Sequence, residues 1–378
     1  MTLRPSLSVA LDATPLAGNP TGIGRFCGSL IEALARRKDV EVTAWPITVR
    51  GRDAVKAAVP PNVRVVGRPT PARALRKLWM TKDQPTAEAF CGKQDVVHGT
   101  NFVVPPTRHA ARVVSVHDLT FLRFPELCTP DTLQYPQLLR RAIADGAFVH
   151  TDTEAVRLEV LEAFDIDADR VMAAHLGIPP VLAGDPAAGW KYVGADRYVL
   201  ALGTIEPRKG FPVLIDAIEF LVDTHPDVKL VIAGPDGWGV EALEHALSQA
   251  VRPDRIMRTG WVDETTRADL LAGATVLAYP SVYEGFGFPP LEAMRVNVPV
   301  VASSVAAVAE VVEDAAMLVP PNDPVAWATA LERVLDDHKE ADRLRAAGRL
   351  RCRSFSWDTL AEQMVDFYRL AADTWPTR

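Results

Sequence analysis

Short apolar runs alternate with amphipathic segments from one end of the chain to the other. Runs typical of buried strands occur at 6–13, 40–45, 62–67, 95–100, 111–117, 147–151, 171–176, 197–203, 228–234, 255–260, 274–280, 298–303 and 315–320. Apolar spacings of three and four residues predict helices between them, at 22–38, 133–145, 153–164, 210–225, 239–250, 264–273, 289–296, 324–337 and 357–373. Near-continuous apolar strands separated by helices are typical of parallel sheets covered on both faces.

The predicted strands form two series, seven up to residue 176 and six from residue 197 onward, which are too many for one sheet. The 378 residues, at about 150 residues per domain, allow two domains. We therefore predict an α/β protein with two doubly wound, Rossmann-like domains, at 1–180 and 197–355, joined by the proline- and glycine-rich linker 181–196. Doubly wound sheets bind ligands at the carboxyl ends of their strands, so the ligand is expected in a central cleft that the two domains face.

Charge and cysteine content narrow the class of protein. The chain has 41 Lys and Arg against 48 Asp and Glu, a formal net charge of −7, which argues against a nucleic-acid partner held by bulk charge. Its four cysteines are far apart, which indicates neither a zinc site nor a disulfide framework. With no signal-peptide pattern at the start, the expected location is the cytoplasm.

The segment YPSVYEGFGFPPLEAM at 279–294 carries the sharpest candidate chemistry. A strand ends at its start, Gly285 and Gly287 allow close backbone approach, and a helix is predicted near Pro289. That helix is expected to direct free N–H groups at an anion. Glu284 and Glu292 are two acceptor-only carboxylates that fit a polyhydroxylated ligand held at two places.

The segment LALGTIEPRKGFPVLIDAI at 200–218 is the second candidate. Arg208 and Lys209 precede a helix that is predicted to start near Gly210. Two cations beside a helix N-terminus are repelled by the positive end of the helix dipole. A bound phosphate would neutralise both the cations and the helix end. This segment therefore predicts a phosphate site.

These segments resemble the retaining glycosyltransferases of family 4, which have the GT-B fold. The resemblance covers nearly the whole chain, through TGIGRF (21–26), VHDLT (116–120), PRKG (207–210), GWV (260–262), EGFGFPPLEA (284–293) and FSW (355–357). It implies an acceptor-binding N-terminal domain and a donor-binding C-terminal domain. It also implies that a last helix, at 356–378, crosses back to pack on the N-terminal domain.

The resemblance implies a role for each matching residue. Lys209 and Arg208 would hold the donor diphosphate, and Glu284 would contact hydroxyls of the transferred hexose. Glu292 would bind the ribose. The remaining donor contacts would come from Trp261 and Val262 along the base, and from Gly285, Phe286, Gly287 and Phe288 around the sugar and phosphate. Thr204 departs from the pattern, because many members have an arginine there; Arg208 would then take over that role.

The N-terminal candidates are a glycine pattern and a histidine. Gly22 and Gly24 belong to G-x-G-x3-G, which differs from the dinucleotide fingerprint and predicts a tight loop before a helix, either facing the donor phosphates or serving helix packing alone. His117 ends a predicted strand, and the resemblance places it beside the transferred sugar as a catalytic residue. Asp118 would orient its imidazole.

The sequence thus predicts a retaining hexosyltransferase of polysaccharide or glycoconjugate biosynthesis. EPRKG and EGFGFPPLEA most resemble the mannosyltransferase branch, which uses GDP-mannose; UDP-glucose, or a catalytically silent sugar-nucleotide-binding protein, is the alternative. The missing fingerprint counts against a dehydrogenase. The expected acceptor is a glycan, a glycoside or a lipid-linked sugar.

No cofactor or metal is expected, since the eight histidines form no H-x-x-x-H pair and the D-x-D at 165–167 lies in a polar turn. The segment 71–82 has an apolar helical face, at Leu75, Leu78 and Trp79, among basic residues. It is predicted to be a surface helix with a buried stripe. A weak peripheral contact with the inner face of a membrane is the alternative.

Overall fold

The computed structural model describes residues 6–18 and 22–376, and these form two compact units. One unit runs up to Gly177 and resumes at Phe355, and the other spans Ile178–Ser354. Thr21, in the predicted glycine loop, lies outside the described residues.

The first unit contains a seven-stranded parallel sheet. Its strands are β1 (Leu7–Asp12), β2 (Val40–Trp45), β3 (Arg64–Val65), β4 (Val96–Gly99), β5 (Ala111–Val116), β6 (Phe148–Thr151) and β7 (Val171–Ala173). Its helices are α1 (Gly22–Ala35), α2 (Arg52–Ala58), α3 (Ala72–Trp79), α4 (Glu88–Cys91), α5 (Thr120–Arg123), α6 (Tyr135–Ala144), α7 (Glu154–Ala163) and, at the end of the chain, α16 (Trp357–Thr374). The strand order is β3-β2-β1-β4-β5-β6-β7.

The second unit contains a six-stranded parallel sheet. Its strands are β8 (Tyr198–Leu202), β9 (Lys229–Ala233), β10 (Ile256–Gly260), β11 (Val276–Tyr279), β12 (Val300–Ser303) and β13 (Met317–Val319). Its helices are α8 (Pro186–Val193), α9 (Pro212–Phe220), α10 (Glu241–Gln249), α11 (Glu264–Gly273), α12 (Phe288–Arg295), α13 (Ala306–Val312), α14 (Pro324–Asp336) and α15 (His338–Arg351). The strand order is β10-β9-β8-β11-β12-β13.

The fold class is confirmed, because both sheets are parallel and doubly wound. In each sheet the strand order reverses once, between β1 and β4 in the first and between β8 and β11 in the second. The loops on either side of such a reversal diverge and leave a crevice at the carboxyl edge, where doubly wound folds bind ligands. The two reversals are therefore the first places to look for a site.

The last helix of the chain packs on the first unit, as expected. α16 contacts α1, β4 and β5. Its buried side follows the predicted apolar spacing through Leu360, Met364, Phe367 and Tyr368. Trp357, the first residue of the predicted stripe, is only partly buried.

A chain of buried hydrogen bonds fastens α16 to the sheet. His150 Nε2 faces the carbonyl oxygen of Ala174 at 3.3 Å, so Nε2 must donate, and Nδ1 of a neutral imidazole must accept. Ser115 Oγ therefore donates to His150 Nδ1 (2.9 Å) and accepts from His98 Nε2 (2.8 Å). Tyr368 OH then donates to His98 Nδ1 (2.7 Å). The carbonyl oxygen of Ala174 thus sets the donor and acceptor of every hydrogen bond in this series.

The segment expected to be a linker contains a helix. α8 lies within 181–196 and packs against α11. Asp185 N donates to Asp269 Oδ1 at 2.7 Å, and Trp190 Nε1 donates to the carbonyl oxygen of Gly273 at 2.9 Å. The proline and glycine content that suggested a linker instead serves the helix ends, with Pro186 in the first turn and Gly194 left-handed at the C-cap.

The amphipathic helix at 71–82 is α3. Leu75 and Trp79 are buried within the first unit, whereas Leu78 is 40% exposed. The apolar stripe is therefore mostly covered by its own unit, which favours the surface-helix interpretation. Within the part of the chain that the structure describes, no helix has both the length and the apolar character needed to cross a bilayer.

Candidate active site

The turn after β8 carries the two predicted phosphate cations. Arg208 and Lys209 end a short 3-10 turn rather than opening the next helix, because Gly210 is left-handed (φ +65°) and α9 begins at Pro212. A Cβ at Gly210 would lie 2.3 Å from the carbonyl oxygen of Pro280. Glycine thus lets this turn approach the end of β11.

Glu284 joins this turn to the loop after β11. Its Oε1 accepts hydrogen bonds from Lys209 Nζ (2.5 Å) and Ser281 Oγ (2.8 Å). Its Oε2 accepts from Arg208 Nη1 (2.9 Å). A backbone bond from Val282 N to the carbonyl oxygen of Arg208 (2.8 Å) holds the two loops together. Three of the four predicted catalytic residues are therefore in direct contact at the β8/β11 reversal.

Burial and ion pairing have opposite effects on the pKa values of the charged groups in this cluster. Burial alone would raise the pKa of Glu284, but Lys209 and Arg208 together lower that pKa to about 2. Burial lowers the pKa of Lys209, and the charge of Glu284 opposes that change. Glu284 is consequently an ionised acceptor across the physiological pH range.

A second carboxylate balances the cluster. Arg208 Nε donates to Glu206 Oε2 at 2.9 Å, and the Glu206 side chain is only 9% exposed. The two cations Arg208 and Lys209 are thus matched by the two carboxylates Glu206 and Glu284, so the formal charge of this group is zero. A bound diphosphate would have to share the cations with these carboxylates.

The glycine loop leads into α12 as expected, but the helix start differs. Gly287 is left-handed (φ +92°) at the N-cap, and α12 begins at Phe288. Pro289 and Pro290 occupy the first turn and have no amide hydrogen. The first turn therefore offers fewer N–H groups than expected, and their contact with an anion stays a prediction.

Glu292 lies inside α12, where it is only 1% exposed. Its Oε2 accepts a hydrogen bond from Arg267 Nη2 of α11. This ion pair explains how a carboxylate is tolerated at such burial. A ribose would have to reach the other oxygen or displace Arg267, so the ribose-binding role of Glu292 stays a prediction.

The remaining donor-side predictions lie at the same edge of the second sheet. Trp261 follows β10 and is 72% exposed, and Val262 beside it is half-buried. Thr204 follows β8 directly after Gly203 and is half-buried. Gly285 and Phe286 are buried beside Glu284. A large ring left open to solvent at a strand end provides a stacking surface for a base.

His117, in the first unit, directly follows β5, which ends one residue earlier than predicted, at Val116. Its Nε2 faces the carbonyl oxygen of Thr100 at 2.9 Å, and its Nδ1 faces Asp152 Oδ2 at 2.8 Å. Burial lowers the pKa of His117, but the charge and hydrogen bond of Asp152, the hydrogen bond to Thr100 and the charge of Asp118 together outweigh that effect, and the net change is upward. Both contacts therefore favour the protonated imidazole.

Two expectations about His117 change as a result. Asp152 after β6 orients the ring, and not Asp118, whose Oδ1 accepts from Thr120 N at 2.9 Å. Both ring nitrogens already have protein partners, so a bond to a sugar hydroxyl would require one of them to be released. The catalytic role of His117 stays a prediction.

The predicted glycine loop of the first unit is helical. α1 begins at Gly22, so Gly22 and Gly24 form its first turn rather than a loop before it. Gly24 is buried and Gly22 is exposed. The spacing that suggested a tight loop favours the helix-packing alternative, and the contact with donor phosphates stays a prediction.

Several residues of the site were missed from the sequence. Tyr279 OH lies 3.4 Å from Lys209 Nζ, and burial together with the charge of Glu284 raises the pKa of this phenol well above its ordinary value. Ser281 and Asp152 follow buried strands, a signal that could have identified them. Arg267 pairs with Glu292 across 25 positions, and no local pattern announces such a pair. Among residues 6–18 and 22–376, no three His, Cys, Asp or Glu side chains group as metal ligands would.

Comparison with known proteins agrees with this architecture. The description "Glycosyl transferase 4-like domain" matches residues 21–177, and "Glycosyl transferases group 1" matches residues 190–351. These two matches, one in each unit, identify a nucleotide-sugar-dependent transferase. The chain belongs to the family 4-type glycosyltransferases of the GT-B fold.

Two of the relatives that are similar in sequence illustrate the match. The "O-antigen chain mannosyltransferase B" of Escherichia coli is 29% identical, over 96% of this chain and 100% of that protein. A "D-inositol 3-phosphate glycosyltransferase" of Nocardioides sp. is 30% identical, over 74% of this chain and 68% of that protein. The first similarity therefore covers the whole of that protein and nearly all of this chain.

Solved structures share the fold at low identity. A sucrose-phosphate synthase from Thermosynechococcus elongatus has a TM-score of 0.73 at 21% identity, covering 97% of this chain and 99% of that one. The Anabaena protein HepE, in complex with UDP and glucose, has a TM-score of 0.72 at 18% identity, covering 97% and 100%. At these identities the likeness concerns the fold alone.

Proposed function

We propose that this protein transfers mannose from GDP-mannose to a hydroxyl group of a glycan or glycoside, with retention of anomeric configuration. The observation that carries the proposal is the buried cluster of Arg208, Lys209 and Glu284 at the β8/β11 reversal. Cations at this place suit a diphosphate leaving group, and a carboxylate beside them suits sugar hydroxyls. The full-length similarity to a mannosyltransferase supports the choice of sugar.

Transfer breaks the bond between the anomeric carbon and a phosphate oxygen, and forms a bond between that carbon and the acceptor oxygen. Negative charge develops on the leaving diphosphate, where Lys209 and Arg208 would stabilise it. The acceptor hydroxyl must lose a proton, and in this proposal the leaving phosphate oxygen takes it. Departure and attack then occur on the same face of the sugar, which keeps the configuration.

A covalent intermediate on Glu284 is less favoured. Both of its oxygens accept hydrogen bonds from cationic side chains, and its pKa of about 2 makes the carboxylate a weak base. These contacts support a hydroxyl-binding and charge-organising role. Trapping with a 2-fluoro donor sugar tests it: a glycosyl adduct on Glu284 detected by mass spectrometry would contradict this role.

The donor alternative is UDP-glucose. HepE, which shares the fold, is described in complex with UDP and glucose. The proposal also includes a cytoplasmic enzyme and a glycan, glycoside or lipid-linked acceptor, with a weak peripheral membrane contact as the alternative location. A catalytically silent sugar-nucleotide-binding protein would bind the donor and release nothing.

The deciding experiment screens nucleotide sugars for release of GDP or UDP in the presence of mannosides and lipid-linked glycans. Release of GDP from GDP-mannose that depends on acceptor is the expected result, and NMR of the product should show an α-linkage. Faster release of UDP from UDP-glucose would replace the donor assignment. Binding of a nucleotide sugar without release by any acceptor would favour the silent protein.

We also propose that the reaction needs no metal ion, since fixed cations supply the charge that a metal supplies in other transferases. Activity should persist in excess EDTA. Loss of activity on chelation, followed by recovery with a divalent ion, would contradict this part of the proposal.

A further inference from the structure

A pocket of about 450 Å³ lies in the first unit, at the edge of the sheet where the strands begin. This amino-edge pocket is lined by the starts of β1, β2 and β3, the end of α1 and the loops before β2, β3 and β4. Pockets that hold small molecules usually measure about 300–1,000 Å³. The pocket is therefore large enough for a ligand of that kind.

The lining of the amino-edge pocket is mostly polar. Eight of its eleven residues are polar or charged, and the other three are Ala35, Val40 and Val42. None of these eleven residues is aromatic, so the pocket has no ring on which a nucleobase could stack. A ligand that makes many hydrogen bonds therefore fits the pocket better than an aromatic ligand.

Positive charge is concentrated in the pocket although the chain is acidic. Arg37, Arg64 and Lys93 line it together with one carboxylate, Glu41, whereas the whole chain has a formal net charge of −7. Like charges that line a concave surface focus the electric field and raise the local concentration of counter-ions. The pocket therefore favours an anionic ligand.

Two of the three cations have no carboxylate partner. Arg37 donates from Nε and Nη2 to the two carboxylate oxygens of Asp39, both at 3.0 Å, so its charge is already matched. Arg64 Nη2 donates to Thr43 Oγ1 at 3.2 Å, a neutral oxygen that holds the guanidinium beside the pocket. Arg64 and Lys93 form no ion pair with any described residue. The charges of these two side chains are therefore left for a ligand.

The same pocket contains acceptors that need a proton donor. Gln94 is only 4% exposed, and its Nε2 donates to the carbonyl oxygen of Cys91 at 3.2 Å. Its Oε1 is buried and has no hydrogen-bond partner among the described residues. A buried acceptor without a partner costs stability, so this atom calls for a donor. Glu41 adds a second acceptor, so the ligand must supply hydroxyl protons as well as negative charge.

We propose that the amino-edge pocket binds a sugar phosphate, a phosphomonoester that carries several hydroxyl groups. Arg64 and Lys93 bind the phosphate, whose charge of about −1.5 to −2 at pH 7 matches two cations. Gln94 Oε1 and the carboxylate of Glu41 accept hydrogen bonds from the hydroxyl groups. A phosphodiester, such as a phospholipid head group, would leave one of the two cations unmatched.

This ligand is neither the donor nor the acceptor of the proposed transfer. Doubly wound folds bind their substrates at the carboxyl ends of the strands, and the pocket lies at the opposite ends. Ser8 in the pocket and Asp12 at the carboxyl edge are four residues apart on β1, which is about 13 Å. The sugar phosphate therefore supplies no reacting group, and its binding stabilises the folded first unit.

Calorimetric titration of the full chain tests the proposal. The probes are the 6-phosphates of glucose, mannose and fructose, together with glucose, inorganic phosphate and AMP. We expect at least one sugar phosphate to bind, with at least ten-fold lower affinity for glucose and at least three-fold lower affinity for inorganic phosphate and AMP. Equal affinity for glucose would overturn the charge argument. Equal affinity for inorganic phosphate, tighter binding of AMP, or no binding of any sugar phosphate would overturn the choice of ligand.

Variants locate the binding. Arg64→Gln and Lys93→Gln change exposed side chains of the pocket and should each weaken sugar phosphate binding at least five-fold. Arg68→Gln is the matched control, because Arg68 is exposed and does not line the pocket, and it should leave binding unchanged. Gln94→Met should reduce the preference for the sugar phosphate over inorganic phosphate. Unchanged affinity in both charge variants would overturn the pocket assignment.

Competition with a nucleotide separates this proposal from the proposed function. GDP at saturation should leave sugar phosphate binding unchanged, because none of the eleven lining residues belongs to the second unit. Mutual exclusion of GDP and the sugar phosphate would overturn the pocket and leave the transferase proposal standing. Sugar phosphate binding that the charge variants weaken, in a chain that binds no nucleotide, would support the pocket and contradict the transferase.

Discussion

The carboxyl edges of the two sheets bury carboxylates in opposite electrostatic environments. At the β8/β11 reversal, Lys209 and Arg208 contact Glu284 and lower its pKa to about 2 despite full burial. At the β1/β4 reversal, Asp12 accepts from Thr14 only on one oxygen, and burial raises its pKa to about 6. The topology of the two edges is the same, and the neighbouring side chains differ.

This difference separates two kinds of buried carboxylate. Glu284 stays ionised and keeps two cations in place, which suits a charged ligand whose charge increases during the reaction. Arg76, the cation nearest in charge effect to Asp12, is already engaged by Asp131, and Asp12 keeps the raised pKa that burial gives it. A doubly wound sheet therefore provides a location for a ligand, while the side chains at its edge select the ligand's charge.

The largest effect should come from Lys209. Lys209→Ala should reduce kcat/KM for transfer at least about 100-fold, or about 2.7 kcal/mol, because a cation in a dry site acts mainly on the leaving group. Steady-state kinetics with varied donor measures it. The exposed Lys339→Ala is the matched control and should be unaffected. Turnover near that of the unchanged enzyme in a folded Lys209→Ala protein would remove the phosphate assignment.

Substitutions of Glu284 and of Glu292 should affect different kinetic parameters. Glu284→Gln should mainly lower kcat, because its contact with the hexose strengthens as positive charge develops on the ring. Glu292→Gln should mainly raise KM for the donor, because a ribose contact is the same in both states. Each effect should be about 1.5–3 kcal/mol. The reverse pattern would show that the two roles are exchanged.

The raised pKa of Asp12 predicts a pH-dependent stability of the first unit. Its folded pKa of about 6 lies above its ordinary value of 3.8, so its contribution to folding is fully favourable below pH 3.8 and is lost as pH rises through 6. Asp12→Asn should therefore gain on the order of 2 kcal/mol relative to the unchanged chain between pH 4 and pH 7. Denaturant unfolding at both pH values measures this difference. A constant difference between the two proteins would contradict the pKa shift.

Glu284 should show the opposite dependence of stability on pH in the same unfolding measurement. Its folded pKa of about 2 lies below its ordinary value of 4.5, so its stabilising contribution is present above pH 4.5 and is lost as pH falls through 2. Glu284→Gln should lose stability relative to the unchanged chain as pH rises from 3 to 5. A change of the same sign as for Asp12→Asn would break the comparison between the two edges.

The smallest effect should come from the neutral hydrogen-bond chain under α16. Tyr368→Phe removes the donor to His98 Nδ1 and should cost about 1–2 kcal/mol of unfolding free energy. Burial lowers the pKa values of His98 and His150, the latter to about 4, so the neutral forms are the folded ones. Stability should fall as pH drops below 6.5. Hydrogen exchange of α16 measures both effects, and protection equal to that of the unchanged chain would contradict them.

Much of the fold was predictable because its signals are local. The strand at 274–280 became β11, and the helix at 264–273 has the bounds of α11, since apolar runs and Asp263 as N-cap act within a few residues. α15 was missed because only three of its residues, Ala341, Leu344 and Gly348, are buried, too few for a clear apolar stripe. α8 was missed because its proline and glycine also fit a linker.

The sequence identified several residues of the candidate site, but it did not identify the contacts between them. Arg208, Lys209 and Glu284 were identified from the sequence, yet their mutual ion pairs join positions about 75 apart along the chain. Glu206, Ser281 and Tyr279 complete the cluster; they lie inside the two candidate segments but were not identified as site residues. The amino-edge pocket had no signal, because its residues come from three strands, the end of α1 and three loops.

The sequence alone determined two doubly wound units, the packing face of the last helix and the turns that carry the charged residues. Hydrophobic periodicity and turn chemistry are local, so each segment can be interpreted from its own residues. The tertiary structure decided the partners and the burial: Asp152 rather than Asp118 for His117, Arg267 for Glu292, and for Asp12 a burial that raises its pKa. Protonation and binding chemistry depend on distances between segments that only the folded chain brings together.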